Sequence, residues 1–107
     1  MNIYGLMKMG LDVTELRGRT IANNIANINT PGYKRRYISF EDSLKEEIGN
    51  AKVELKIDRD TVVRLDGNNV ELENEKINQA ATTLQYNALV NLTNTKLNMA
   101  KSIILGR

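Results

Sequence analysis

Residues with chemical capability are few in kind. Lys34, Arg35 and Arg36 stand between Tyr33 and Tyr37, three cations flanked by two aromatics. That pattern suits phosphate contact with base stacking, as in single-strand nucleic-acid binders. It suits equally an exposed linker after a turn, and three charges on one short segment are few for nucleic acid. Glu71, Glu73 and Glu75 could approach a cation, yet the Asp/Gly spacing of a calcium loop is missing. A solvated face leading into a helix, with acids near its positive end, is the simpler expectation. Cysteine, histidine and tryptophan are absent, which removes the commonest general base, the commonest metal ligand and any thiol nucleophile. No nucleophile is paired with a base, so the residues point away from an enzyme and require no cofactor or metal. Asn91-Leu92-Thr93 is formally a glycosylation sequon, but it falls in the middle of a helical pattern.

The side chains that do recur are amides. The chain has 14 asparagines in 107 residues, gathered near its two ends. Asn23, Asn24 and Asn27 lie within Thr20 to Tyr33, where Ile21, Ile25 and Ile28 share one helical face and Ala22 and Ala26 stack beside them. Asparagine is a mediocre helix former because its amide competes for backbone hydrogen bonds. The cluster therefore reads as a packing or pairing surface, with a polar helix end as the bland alternative. Pro31 pushes Thr30 out of the α region, Asn29 is suited to a left-handed C′ position, and Thr30-Pro31-Gly32-Tyr33 fits a type II turn.

The elements that must position these residues follow from periodicity. Asn2 can cap a helix running from Ile3 to Ile28, with Ile3, Leu6, Met7, Gly10, Thr14 and the three isoleucines on one stripe. Gly5, Gly10 and Gly18 weaken it, so fraying before Asp12 is expected without a partner. Leu11, Val13 and Leu16 give it a second contact surface. Ser39 with Asp42 predicts a capped short helix from Phe40 to Ile48, stopped at Gly49-Asn50 and with Phe40, Leu44 and Ile48 on one face. Val53, Leu55 and Ile57 alternate with charges, which predicts a strand. Val62, Val63 and Leu65 form a second β-like run, Asp66-Gly67-Asn68-Asn69 a turn, and Val70, Leu72 and Asn74 another alternation, so one or two hairpins are expected.

A last helix is predicted from Glu75 to Leu105. Ile77, Ala81, Leu84, Ala88, Leu92, Thr95, Met99 and Ile103 make one stripe, close to an 11-residue rhythm. Tyr86, Val90, Thr93, Leu97, Ala100 and Ile104 make another, and Asn87, Asn91, Asn94 and Asn98 a third line between them. One helical partner from the same small chain cannot cover two apolar faces. The expectation is that one face takes the first helix and the other takes neighbouring molecules.

The fold expected is mainly α, with long N- and C-terminal helices pairing as a coiled-coil-like hairpin. Residues 1–107 read as a single domain: helix over 1–29, turn, short helix and β-like segment over 30–74, helix over 75–105. No stretch has the length of a membrane span, and the start lacks the pattern of a cleaved signal peptide. With a formal charge of +2, neither nucleic acid nor membrane insertion is expected.

Ala22-Asn23-Asn24-Ile25-Ala26-Asn27 followed by Thr30-Pro31-Gly32-Tyr33 resembles the N-terminal signature of bacterial flagellar axial proteins. Asp66-Gly67-Asn68-Asn69-Val70 through Glu75, together with Tyr33-Lys34-Arg35-Arg36-Tyr37-Ile38-Ser39-Phe40, resembles the FlgB family of proximal rod proteins. Hook and distal-rod relatives carry large inserted β domains, for which there is no room here. The resemblance implies a structural subunit of the flagellar basal-body rod. It also implies export by the flagellar export apparatus without a cleaved signal, and partners among copies of itself, other rod proteins and basal-body components. Ala22–Asn27 and Thr30–Tyr33 would be the assembly motif. Leu84, Ala88, Leu92, Met99 and Ile103 on one face of the last helix, with Tyr86, Val90, Leu97 and Ile104 on the other, would form its interface.

Overall fold

A computed structural model describes residues 2–46, 51–59 and 64–106. Five elements follow in order: α1 (Ile3–Ala26), β1 (Arg36–Ser39), α2 (Glu41–Glu46), β2 (Glu54–Ile57) and α3 (Leu72–Leu105). The molecule is elongated, 64 × 26 × 14 Å, and mainly helical.

α1 begins where the sequence places it, because Gly5 N–H donates to the Asn2 side chain at 2.8 Å and so satisfies an orphan donor of the first turn. It is continuous from Ile3, and Met7 is buried within the chain. It ends at Ala26, two residues before the expected Ile28. There the ladder tightens into i→i+3 bonds, Ile28 N–H to Ile25 O and Thr30 N–H to Asn27 O, a usual way to close a helix ahead of a proline. Asn29 is not left-handed: among the described residues, positive φ occurs at glycines alone. The type II turn stands as read, with Tyr33 N–H on Thr30 O at 3.2 Å and Gly32 at φ +75°.

The middle differs from the expectation in its pairing. β2 does pick up the Leu55/Ile57 alternation, but its antiparallel partner is β1, with Ile38 opposite Leu55 and Ser39 opposite Glu54. Arg36–Ser39 carries a single buried apolar residue, Ile38, so it shows no alternation to read. Ser39 therefore belongs to the sheet rather than to a cap, and α2 starts at Glu41. Ile48, the Gly49-Asn50 stop and Val62-Val63 lie outside the described residues. Leu65 is in a turn and exposed. The expected alternation at Val70, Leu72 and Asn74 is absent, because α3 begins at Leu72, three residues before Glu75.

The buried apolar cluster is Val13, Ile38 and Phe40, with Met9, Leu44 and Ala51 packed against it. The second contact surface of α1 thus meets the sheet and α2, and among the described residues the cluster takes nothing from α3. Arg17 ties the same region together, donating to Ile38 O at 3.2 Å and to Glu41 at 2.9 Å. Burial would raise the Glu41 pKa, but the Arg17 hydrogen bond, with backbone donors, outweighs it and holds the carboxyl below its ordinary range.

α1 and α3 run antiparallel. Asn24 meets Glu75 at one end of the pair and Gly10 meets Leu89 further along, fourteen residues on in each helix. On α3, Glu75 and Thr82 are buried and Leu89, Val90, Thr93, Lys96 and Ala100 are half-buried. Val90, Thr93 and Ala100 of the second apolar stripe are partly covered, with Glu75, Thr82 and Lys96 adding polar positions to the less exposed side of α3. The register is fixed by a polar contact at Asn24 and by the close approach that Gly10 permits, neither of which an apolar pattern reports.

Candidate assembly site

The amide motif at the end of α1 forms the joint of the molecule. Asn24 is wholly buried, 0% exposed. Its Nδ2 donates to Arg36 O at 2.8 Å and its Oδ1 accepts from Arg36 N–H at 2.9 Å. The side chain therefore acts as a strand residue would, taking both backbone groups on the outer edge of β1. The same Oδ1 accepts from the Tyr33 hydroxyl at 3.1 Å, and Asn23 donates to that hydroxyl at 3.3 Å. Asn24 Nδ2 also reaches Glu75 Oε2 at 3.3 Å.

Glu75, 0% exposed, is not part of a solvated acidic face. Its Oε1 accepts from Arg35 Nε at 2.8 Å, and Arg35 also pairs with Asp58 at 3.3 Å. Burial opposes the Arg35 charge, but the hydrogen bonds and charges of Glu75 and then Asp58 more than offset it, holding the guanidinium above its already high pKa. Lys34 donates to Gly67 O. Of the basic run, Arg36 is the exposed member, stacked over the Tyr33 ring at 6.0 Å. The nucleic-acid reading finds no support in this geometry: two of its three cations are engaged within the chain.

The turn at residues 64–67 closes the joint from the other side. Asn68, also 0% exposed, donates to Asn27 O at 2.8 Å, Ile28 O at 3.2 Å and Thr30 O at 2.8 Å. It thereby satisfies carbonyls left open where α1 ends. Asn69 accepts from Arg35 N–H at 2.6 Å and donates to Asp58 O at 2.7 Å. Among the described residues no buried side-chain polar atom lacks a partner. Sequence reasoning missed Arg35, Asp58, Asn68, Asn69 and Glu75 as members of this joint; the visible signal was the doubled asparagine after Asp66-Gly67.

Two glycines let the turns meet. Gly67 (φ +83°) and Gly32 (φ +75°) are both left-handed, and a Cβ on Gly67 would stand 3.3 Å from the Gly32 Cα. Gly32→Ala is expected to cost about 1 kcal/mol for its conformation alone. Gly67→Ala adds a backbone clash and should cost about 2–3 kcal/mol. Urea unfolding of the two variants measures the difference, and equal losses would mean that the turns do not touch.

Of the motif residues, Asn24 is buried, Ile25, Asn27 and Tyr33 are half-buried, and Ala22, Asn23, Ala26, Thr30, Pro31 and Gly32 are exposed. On α3, Leu84, Ala88, Leu92, Met99 and Ile103 are exposed on one side and Tyr86, Leu97 and Ile104 on the other, while Val90 is half-buried. Leu84 is 70%, Ile103 81% and Ile104 82% exposed. By the register of the two helices, Asn98 to Leu105 extend past the start of α1. Leu84, Leu92, Met99 and Ile103 on one side and Tyr86, Leu97 and Ile104 on the other are left open, an arrangement that can bind other apolar helices along α3.

Residues 17–34 match the family model described as flagella basal body rod protein. The chain is 30% identical over 118 residues to the flagellar basal body rod protein FlgB of Bacillus subtilis (strain 168), covering 94% of this chain and 91% of that one. It is 31% identical over 122 residues to FlgB of Borrelia hermsii, covering 86% and 90%. A shorter match, 49% over 37 residues, links it to the flagellar basal-body rod protein FlgG of Buchnera aphidicola subsp. Baizongia pistaciae, covering 35% of this chain and 14% of that one.

Proposed function

Since the chain belongs to the FlgB family of flagellar basal body rod proteins, we propose that it builds the proximal part of the rod through its terminal helices. It is a structural subunit of the bacterial flagellar basal body, and its role is mechanical rather than catalytic. Copies of itself and other rod proteins are its partners. The flagellar export apparatus delivers it without removal of a signal peptide.

One observation carries the reading: after α1 has packed, α3 still presents large apolar side chains of both stripes to solvent. Exposed hydrocarbon on that scale marks a protein interface in a chain that must stay soluble before assembly. The motif Ala22–Asn27 and Thr30–Tyr33 supports it from inside, since Asn24 and Tyr33 set the angle at which α1, β1 and α3 leave the joint. The exposed members, Asn23 and Ala26 among them, remain for contact with neighbours.

Leu97→Asp tests this. Leu97 is exposed, so the isolated variant should keep its helicity and solubility. Within an apolar contact an unpaired carboxylate is strongly unfavourable, so a strain carrying only this variant should form no basal bodies visible by electron microscopy and should not swim. Normal motility would sink the reading.

A further inference from the structure

The two-stranded sheet has one closed edge and one open edge. Asp58 N–H bonds to Arg35 O at 2.8 Å, so in this antiparallel ladder Lys56 and Glu54 turn their backbone groups toward β1. Leu55 and Ile57 turn theirs outward. On the far side of β1, α1 takes three of the four outward groups: Asn24 holds both groups of Arg36, and Arg17 holds Ile38 O. On the far side of β2, among the described residues, no hydrogen bond meets the outward groups of Leu55 and Ile57. An unpaired row of this kind is a template for a further strand.

The side chains say which strand. Val53, Leu55 and Ile57 are exposed, Leu55 by 57%, although Leu55 sits beside the buried Ile38. Glu54 and Lys56 lie on the opposite face, 3.9 Å apart. Val53-Glu54-Leu55-Lys56-Ile57 reads the same in chemistry from either end with the charge signs exchanged. We infer that the outer edge of β2 pairs antiparallel with the same edge of a second copy, centred on Leu55 opposite Leu55. In that register Val53 faces Ile57, and each Glu54 faces the Lys56 of the other copy. Both outward-facing residues find hydrogen-bonding partners, and the two charge pairs are opposite in sign. A shift of two residues along the partner, which keeps the outward groups paired, would set Lys56 against Lys56 in one direction and Glu54 against Glu54 in the other, so charge selects the register. The contact is isologous, closed by a two-fold axis, and differs from the helical surface of α3.

The full-length chain tests it in solution. Sedimentation equilibrium at rising concentration should show a weak monomer–dimer equilibrium. Glu54→Lys should weaken the dimer about tenfold by placing like charges opposite each other twice. Glu54→Lys combined with Lys56→Glu should restore it. The chain has no cysteine, so Leu55→Cys introduces a single thiol. Directly opposed residues of a hydrogen-bonded pair lie within disulfide reach, so this variant should cross-link on mild oxidation, whereas Val53→Cys should not. A chain monomeric throughout, a double variant no better than the single one, or Val53→Cys linking as fast as Leu55→Cys would each overturn the pairing. Normal motility of a Glu54→Lys strain would leave the rod reading standing while separating it from this contact.

Discussion

Asn24→Ala is expected to destabilise the chain by about 2–4 kcal/mol, a loss far beyond that of a typical helix asparagine. The substitution raises local helix propensity, by well under about 1 kcal/mol, so the sign is set elsewhere. It strips both backbone groups of Arg36 of their partners and removes the acceptor of the Tyr33 hydroxyl. Each buried group left unsatisfied costs about 1–3 kcal/mol, moderated where water can reach the edge of β1. Asn24→Asp should be worse still, because it exchanges the donor facing Glu75 for a second carboxylate in a buried place. Urea unfolding followed by circular dichroism measures both. An Asn24→Ala loss under about 0.5 kcal/mol, the size of an ordinary surface substitution, would show that the joint does not hold the fold.

Gly10→Leu is expected to cost about 1–3 kcal/mol. A Cβ at Gly10 would lie 3.3 Å from Leu89 Cδ1, a contact with the end of a flexible side chain. Alanine can be accommodated by a small movement of Leu89 while gaining up to about 1 kcal/mol of helix propensity, so Gly10→Ala should be close to neutral. The further atoms of leucine meet Leu89 where the two helices approach and must displace it or push α1 from α3. Leu89→Ala in the same chain should recover part of the loss. A double-mutant cycle reads that coupling directly, and zero coupling would place the two residues out of contact.

What could be read from the residues was what they decide locally. The Asn2 cap, the Thr30–Tyr33 turn with its left-handed Gly32, and the long final helix rest on neighbours within a few positions. The family resemblance came through for the same reason, being carried by contiguous motifs. Long-range pairing was not legible. Arg36–Ser39 finds its strand partner beyond α2, and Glu75 becomes a buried member of the joint because Arg35 and Asn24 arrive from distant parts of the chain. Glu71, Glu73 and Glu75 look alike in sequence, and only the phase of α3 separates the third from the others. Apolar periodicity does not say which side of α3 meets α1, whereas the Asn24 amide contact and the approach at Gly10 mark it.

The Val13–Ile38–Phe40 cluster lies wholly on the α1 side of the hairpin. The long C-terminal arm adds no residue to that oily centre; what fastens it is the buried Asn24–Glu75–Arg35 joint and the approach of Leu89 to Gly10. The arm is thus held to the rest of the chain by a polar clasp rather than by a shared greasy interior.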